Sequence, residues 1–301
     1  METVTLKITP LSAFATIPKG DTLFGQILAY LYLNKKDNKN ILEKFDNYFE
    51  KNHKPPLIVS DMMPFGYVYK PTLPLDCFKK PNGQELDKKK ERKKEFISIE
   101  NLQNGDLHLC ESVKYFDEVV GVKNSINRTT FTTDGEFFAP YGLIERQYFR
   151  ELWLFLLVDR EIKEKIIDTI RDISTCGFGK EANIGKGSFL VDEIKNPIDN
   201  AIDTPYALAI SPVLLKDENI EKSWYNPFTR FGKFGLNRAF KNAFKRPVIM
   251  ADSSAVVKLK SPKEYFGLAL NNGTKDKISH LQGYSIAIPF KIKDEKCLGI
   301  N

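Results

Sequence analysis

The chain has 301 residues, with 42% hydrophobic and 12% aromatic residues, enough to bury two cores. Nowhere does it approach the roughly 18 consecutive apolar residues of a membrane span, so a membrane-spanning protein is excluded on composition. A formal net charge of +6 favours an anionic partner without naming one.

In chain order, Val4, Leu6 and Ile8 alternate with Thr5, Lys7 and Thr9, the period-two pattern of a half-buried strand. This charged, alternating start is unlike a signal peptide, and a cytoplasmic protein is expected. Asp21 reads as the N-cap of a helix beginning near Thr22, carried by Leu23, Phe24, Ile27, Leu28 and Leu31. The run DKKKERKKE between Leu86 and Phe96 reads as a solvated loop or surface helix, or as a phosphate-contacting patch. Asp134-Gly135, between β-prone runs, signals a two-residue hairpin with Phe131 opposite Phe138. An apolar strand is expected over Tyr148–Val158, then a helix from Glu161 through Ile166, Ile167, Ile170 and Ile173 that Gly177 stops. Ser188–Ile194 reads as a further strand. The remainder is strand-rich, over Tyr206–Ile210, Val256–Leu259 and Ser285–Phe290. The first two-thirds matches a split β-α-β unit. A boundary near Pro197 divides the chain into domains 1–197 and 198–301.

The four cysteines, Cys77, Cys110, Cys176 and Cys297, are widely spaced, lack zinc-site spacing, and read as reduced, mostly buried thiols. His53, His108 and His280 are the only histidines, and no nucleophile motif or GxSxG or HExxH surrounds them. No catalytic residue, metal or cofactor is therefore expected; His280 is taken as structural or RNA-contacting. The glycine-rich stretch Cys176–Phe189 is not a P-loop, because five residues rather than four separate Gly179 from Gly185 and no Ser or Thr follows Lys186 directly. It reads either as an ordinary helix-to-strand connection or as a loop whose amides, with Lys180 and Lys186, meet phosphates. The Thr-rich hairpin, with Phe131, Phe137 and Phe138, reads either as a projecting finger that stacks on bases or as rings packed on the body.

Taken in order, LSAFATIPKGDTLFGQI, VSDMMPFGYVYKPTLPL, KNSINRTTFTTDGEFF, CGFGKEANIGKGSF and ISHLQGYSIAIPF resemble subunit four of the type III-A (Csm) CRISPR complexes, a RAMP-superfamily protein. The resemblance implies an α+β fold of two ferredoxin-like (RRM-like) modules with a glycine-rich loop and a projecting β-hairpin thumb. It implies a non-catalytic subunit binding the 5′ tag of the crRNA, with target RNA at the tag boundary, the large polymerase-like subunit and a backbone RAMP subunit as partners. RNA contacts are then expected at Lys19, Lys123, Asn127, Arg128, Gly177, Gly179, Lys180, Gly185, Lys186, Gly187 and His280, and the thumb at Ile126, Thr130, Phe131, Phe137 and Phe138. Ser253-Ser254 replaces a Gly-Ser pair usual in that family, and Glu181-Ala182-Asn183 stands where basic or Ser-rich residues are usual. Other readings are a repeat-RNA endonuclease of the same superfamily, the equivalent Cmr subunit, and a target-cleaving backbone subunit. The backbone subunit leads its helix with a different motif from Asp21-Thr22-Leu23-Phe24-Gly25.

Overall fold

The computed structural model describes residues 1–50, 53–80, 86–133, 140–235, 243–275 and 277–299. Strand β1 (Glu2–Pro10) leads into helix α1 (Gly20–Leu33) and the short α2 (Lys39–Glu43), followed by β2 (Leu57–Val59), β3 (Met63–Pro64) and β4 (Tyr67–Tyr69). After α3 (Lys88–Glu91), β5 (Phe96–Ser98) and α4 (Ile99–Gln103) come the hairpin strands β6 (Phe116–Lys123) and β7 (Tyr141–Tyr148). Then follow β8 (Leu152–Val158), α5 (Lys163–Cys176) and β9 (Phe189–Ile194). The rest is strand: β10 (Tyr206–Ala209), β11 (Ile220–Trp224), β12 (Pro227–Arg230), β13 (Val248–Ala251), β14 (Val256–Leu259), β15 (Tyr265–Gly267), β16 (Leu270–Asn271), β17 (His280–Leu281) and β18 (Tyr284–Pro289).

The fold is mixed α and β with antiparallel sheets. The first sheet runs β2-β8-β1-β9, with β3 also on β8, and α1 packs on α5 and β2 while α5 packs on β9. All seven residues of β8 are buried, because β8 is an interior strand covered on both faces, so it reads as an unbroken apolar run rather than an alternation. The run expected over Tyr148–Val158 is in fact two strands, β7 ending at Tyr148 and β8 starting at Leu152. Helix α5 buries Ile166, Ile167, Ile170 and Ile173, each contributing roughly 1.5–3 kcal/mol relative to exposure. It ends at Gly177, which takes φ +96° and ψ 144°. A side chain at Gly177 would meet the Lys186 carbonyl at 2.3 Å, so glycine is required there.

The second sheet runs β11-β14-β10-β18-β15. Leaving out β15, its chain order gives second, third, first, fourth, the same wiring as β2-β8-β1-β9. The connections differ: among the described residues no α-helix follows Cys176, in keeping with the strand-rich remainder expected from the sequence. The links from β10 to β11 and from β14 to β18, which stand where α1 and α5 do in the first sheet, hold no α-helix among the described residues, and the β12–β13 ribbon lies between β11 and β14. The core is continuous across both sheets, Leu154 and Leu156 belonging to the same cluster as Leu208, Ile286 and Ile288. Pro197 lies in the connection between β9 and β10.

The expectation of reduced, mostly buried cysteines is corrected. Cys77 and Cys297 form a disulfide across 220 residues, and Cys176 is exposed, leaving only Cys110 as a buried thiol. The sequence separation concealed this pair, whose Cα atoms lie 5.0 Å apart where two short 3-10 turns, Leu75–Phe78 and Glu295–Leu298, meet. The charge run forms one helical turn, capped by Asp87 accepting from the Lys89 and Lys90 amides, and its Glu91 is buried against Lys70 at 2.8 Å and Lys94 at 2.7 Å. No helix among the described residues is long and apolar enough to cross a membrane.

Candidate functional site

The glycine-rich loop closes on the protein itself. The Phe178 amide donates to the Gly187 carbonyl at 2.8 Å, Gly187 to Ala13 at 2.9 Å, and Gly185 to Ala182 at 3.0 Å. Side chains complete the pattern: Gly179 donates to Gln26 Oε1, Lys180 to Thr16 Oγ1 and Ser188 to Ser12 Oγ. The expectation of amides open to phosphates is therefore corrected at Gly179, Lys180, Gly185 and Gly187, since each N–H already has an acceptor. The glycines serve close packing instead. A Cβ at Gly179 would lie 2.5 Å from the Thr16 side chain, and one at Gly187 would lie 2.3 Å from the Phe178 carbonyl oxygen. Gly185 differs, with φ +85° and open space around it.

The lysines divide in the same way. The Lys186 ammonium pairs with Glu145, and that of Lys123 lies 3.3 Å from Glu181 and 3.7 Å from Glu145. Glu145, on β7, is only 7% exposed, so the two lysines neutralise a carboxylate that could not otherwise be buried. Two expected RNA-contacting cations thus bind the hairpin to the glycine-rich loop. Phe14 and Arg146 reinforce the joint by exchanging backbone hydrogen bonds, both 2.9 Å. Lys180 remains exposed and makes no ion pair among the described residues.

Strands β6 and β7 form the expected hairpin, in register from Phe116↔Tyr148 to Lys123↔Tyr141. Beyond β6, Phe131 lies in a turn at φ +55°, its amide donating to the Asn127 carbonyl at 2.8 Å. The Asn127 side chain accepts from the Thr129 amide, so it shapes this turn. Ile126, Arg128, Thr130 and Phe131 are exposed, Phe131 by 82%. Asp134, Gly135, Phe137 and Phe138 lie outside the described residues, and the Phe131–Phe138 pairing with them.

Lys19 is not a free cation either. It precedes α1 and reaches Asp61 at 3.0 Å, Asp252 at 2.8 Å and Ser253 Oγ at 3.2 Å. Burial works against its charge, but Asp61 and Asp252 prevail and hold its pKa above the ordinary lysine range. Asp61, fully buried, also accepts from the Gly20 amide, the Tyr69 hydroxyl and the Ser253 hydroxyl. Asp21, expected as an N-cap, caps nothing: it is buried in an ion pair with Arg230, 209 residues away. Burial pushes its carboxyl above the usual range against the pull of that guanidinium. The Ser253-Ser254 pair completes this hub, Ser254 adopting φ +94°, a conformation that suits glycine, while bonded to Thr72.

His280 stands apart from the loop, its ring stacked on Phe49 at 4.9 Å. It lines a cleft of about 730 Å³ with α1 residues, Phe234, Lys245 and Lys277, and no residue of the glycine-rich loop borders that cleft. Sequence reading missed Asp61, Glu145 and Asp252, which fix where the lysines point, and Arg230, which pairs with Asp21; lone charged residues in strands and turns carry no local signal of a partner 22 to 233 residues away. Among the described residues no cluster of three or more His, Cys, Asp or Glu could hold a metal ion.

No family model and no curated protein matches the chain. Solved structures do. A chain of the Csm3-Csm4 subcomplex of the type III-A CRISPR-Cas interference complex aligns over 96% of this chain and 99% of its own length, with a TM-score of 0.62 and 16% identity. Chains of the Csm1-Csm4 cassette in complex with AMPPNP and with pppApA align over 97% of this chain and 100% of theirs, with TM-scores of 0.58 and 0.56 at 14% identity. At these identities the likeness shows a shared fold.

Proposed function

We propose that this chain is a non-catalytic, RNA-binding subunit of a type III-A CRISPR ribonucleoprotein, holding the 5′ tag of the crRNA and joining the large polymerase-like subunit to the first backbone subunit. The observation that carries the reading is the end-to-end correspondence of fold with chains of the Csm3-Csm4 and Csm1-Csm4 structures, covering at least 99% of those chains. The five sequence blocks in their order support it independently. In this reading the two sheets are ferredoxin-like modules dividing near Pro197, and their common strand order supports that assignment. The β6–β7 hairpin is the thumb, tied to the body through Glu145, and the exposed Ile126, Arg128, Thr130 and Phe131 face target RNA at the tag boundary.

The RNA contacts are redistributed accordingly. Lys180 is the phosphate-contacting lysine of the glycine-rich loop, whereas Lys19, Lys123 and Lys186 are positioning residues that fix the surfaces around it. The test is reconstitution with the polymerase-like and backbone subunits and crRNA, with and without this chain. Assembly should require it, and Lys180→Ala should flatten the slope of log K against log salt for tag RNA by about 0.7. Assembly that proceeds normally without the chain overturns the reading, as does specific cleavage of repeat RNA by the isolated protein.

A further inference from the structure

The stretch from Lys222 to Ala251 contains Lys222, Arg230, Lys233, Arg238, Lys241, Lys245 and Arg246 and no Asp or Glu. Aromatic residues interleave with these cations, among them Phe228, Phe231, Phe234 and Phe244. In the fold this stretch contains the β12–β13 ribbon, paired from Pro227↔Ala251 to Arg230↔Val248 and prolonged by a Lys233↔Phe244 bridge. Backbone hydrogen bonds from Lys245 to Gly232 and from Phe234 to Ala243 hold the extension.

Alternation along the ribbon sorts its side chains onto two faces. Met250 and Phe234 turn inward and are buried. The outward face carries Phe231, 75% exposed, Ile249, 71% exposed, and Phe244, 61% exposed. Lys233 lies on that same face, its ammonium 4.9 Å from the centre of the Phe244 ring. Arg246 is exposed nearby and its guanidinium donates to the Asn271 carbonyl, so no carboxylate neutralises it in that contact. Large apolar groups left outward on a strand are costly in water and mark a surface that is covered in use.

We propose that the outward face of the β12–β13 ribbon is a second RNA site, a platform for single-stranded RNA on which bases stack against Phe231 and Phe244 while Lys233 and Arg246 meet the phosphates. The pairing of flat rings with cations in a segment free of carboxylates is what selects this ligand. A protein surface complementary to Phe231 and Ile249 alone would not call for such an excess of positive charge. The site is separate from the glycine-rich loop and requires no particular sequence, because every base has a face to stack. It shares with the preceding reading only the premise that the ligand is RNA.

The test uses the full-length protein and a fluorescent, tag-free single strand of uridines. Phe231→Ala and Phe244→Ala should each weaken binding roughly fivefold or more, the lower bound for loss of one base–aromatic stack. Phe231→Leu, which keeps apolar area and loses the flat ring, should weaken it as well. Lys233→Gln should flatten the salt slope by about 0.7. Duplex RNA should compete poorly. All three substituted positions are exposed, so melting temperatures should stay at the wild-type value. Wild-type protein that ignores the tag-free strand, or variants that bind it unchanged, overturn the platform. So do variants that keep RNA affinity but lose capture of the polymerase-like or backbone subunit, which would make the ribbon a protein interface. The tag-binding reading is judged separately, on tag RNA with Lys180→Ala.

Discussion

Replacing Lys19 by Met separates a structural from an RNA-contacting role. The substitution keeps much of the side-chain volume and removes the ammonium that sits 3.0 Å from fully buried Asp61. Leaving a buried charge without its partner costs about 3–5 kcal/mol. Here the cost falls toward about 2–3 kcal/mol, because the carboxylate keeps the Gly20 amide and the Tyr69 and Ser253 hydroxyls as donors. For a chain of this size, that corresponds to a fall in melting temperature on the order of 5 °C. The double variant Lys19→Met with Asp61→Asn removes the stranded charge and should recover part of the loss, a non-additivity expected of residues in contact. Thermal melting of the four proteins, run beside binding of tag RNA, gives both readouts. A Lys19→Met protein that melts normally yet loses RNA would refute the reasoning and return Lys19 to the RNA surface.

Gly187→Ala should destabilise the protein severely, since its Cβ would meet the Phe178 carbonyl at 2.3 Å; Gly185→Ala, in open space, should cost only the roughly 1–2 kcal/mol of a left-handed residue, and equal melting temperatures would contradict this. Glu145→Gln should free Lys186, though Lys123 keeps Glu181 at 3.3 Å, and should lower thermal stability while steepening the salt dependence of RNA binding by about 0.7; an unchanged slope would show that Lys186 stays out of reach of RNA. Cys77→Ser should lower the melting temperature by the same several degrees as a reductant does to the wild type, corresponding to about 2–5 kcal/mol, whereas Cys176→Ser should change neither.

Much of the fold could be read locally. The alternation of Val4, Leu6 and Ile8 and the isoleucine spacing of α5 are each explained by one face meeting one core, so the pattern survives in the sequence. What could not be read is what distant segments supply. Asp21 has the chemistry of an N-cap, but Arg230 claims it from 209 residues away. The glycine-rich loop was recognisable as a loop, while the acceptors of its amides, Ala13, Thr16 and Gln26, belong to the chain around α1. The basic and aromatic ribbon carries a local signal of its own, but a net charge of +6 averaged over the chain dilutes a window whose charged residues are all cations.

The Cys77–Cys297 bond closes the chain between these two residues into a covalent ring, outside which lie β1, α1, α2 and β2–β4. A protease cut between these two cysteines opens the ring without separating the pieces. Such a nicked molecule would migrate as one species on a denaturing gel until a reductant divided it. A chain cut at the β12–β13 ribbon or in the β6–β7 hairpin would keep both halves of its core tethered, each at high effective concentration to the other.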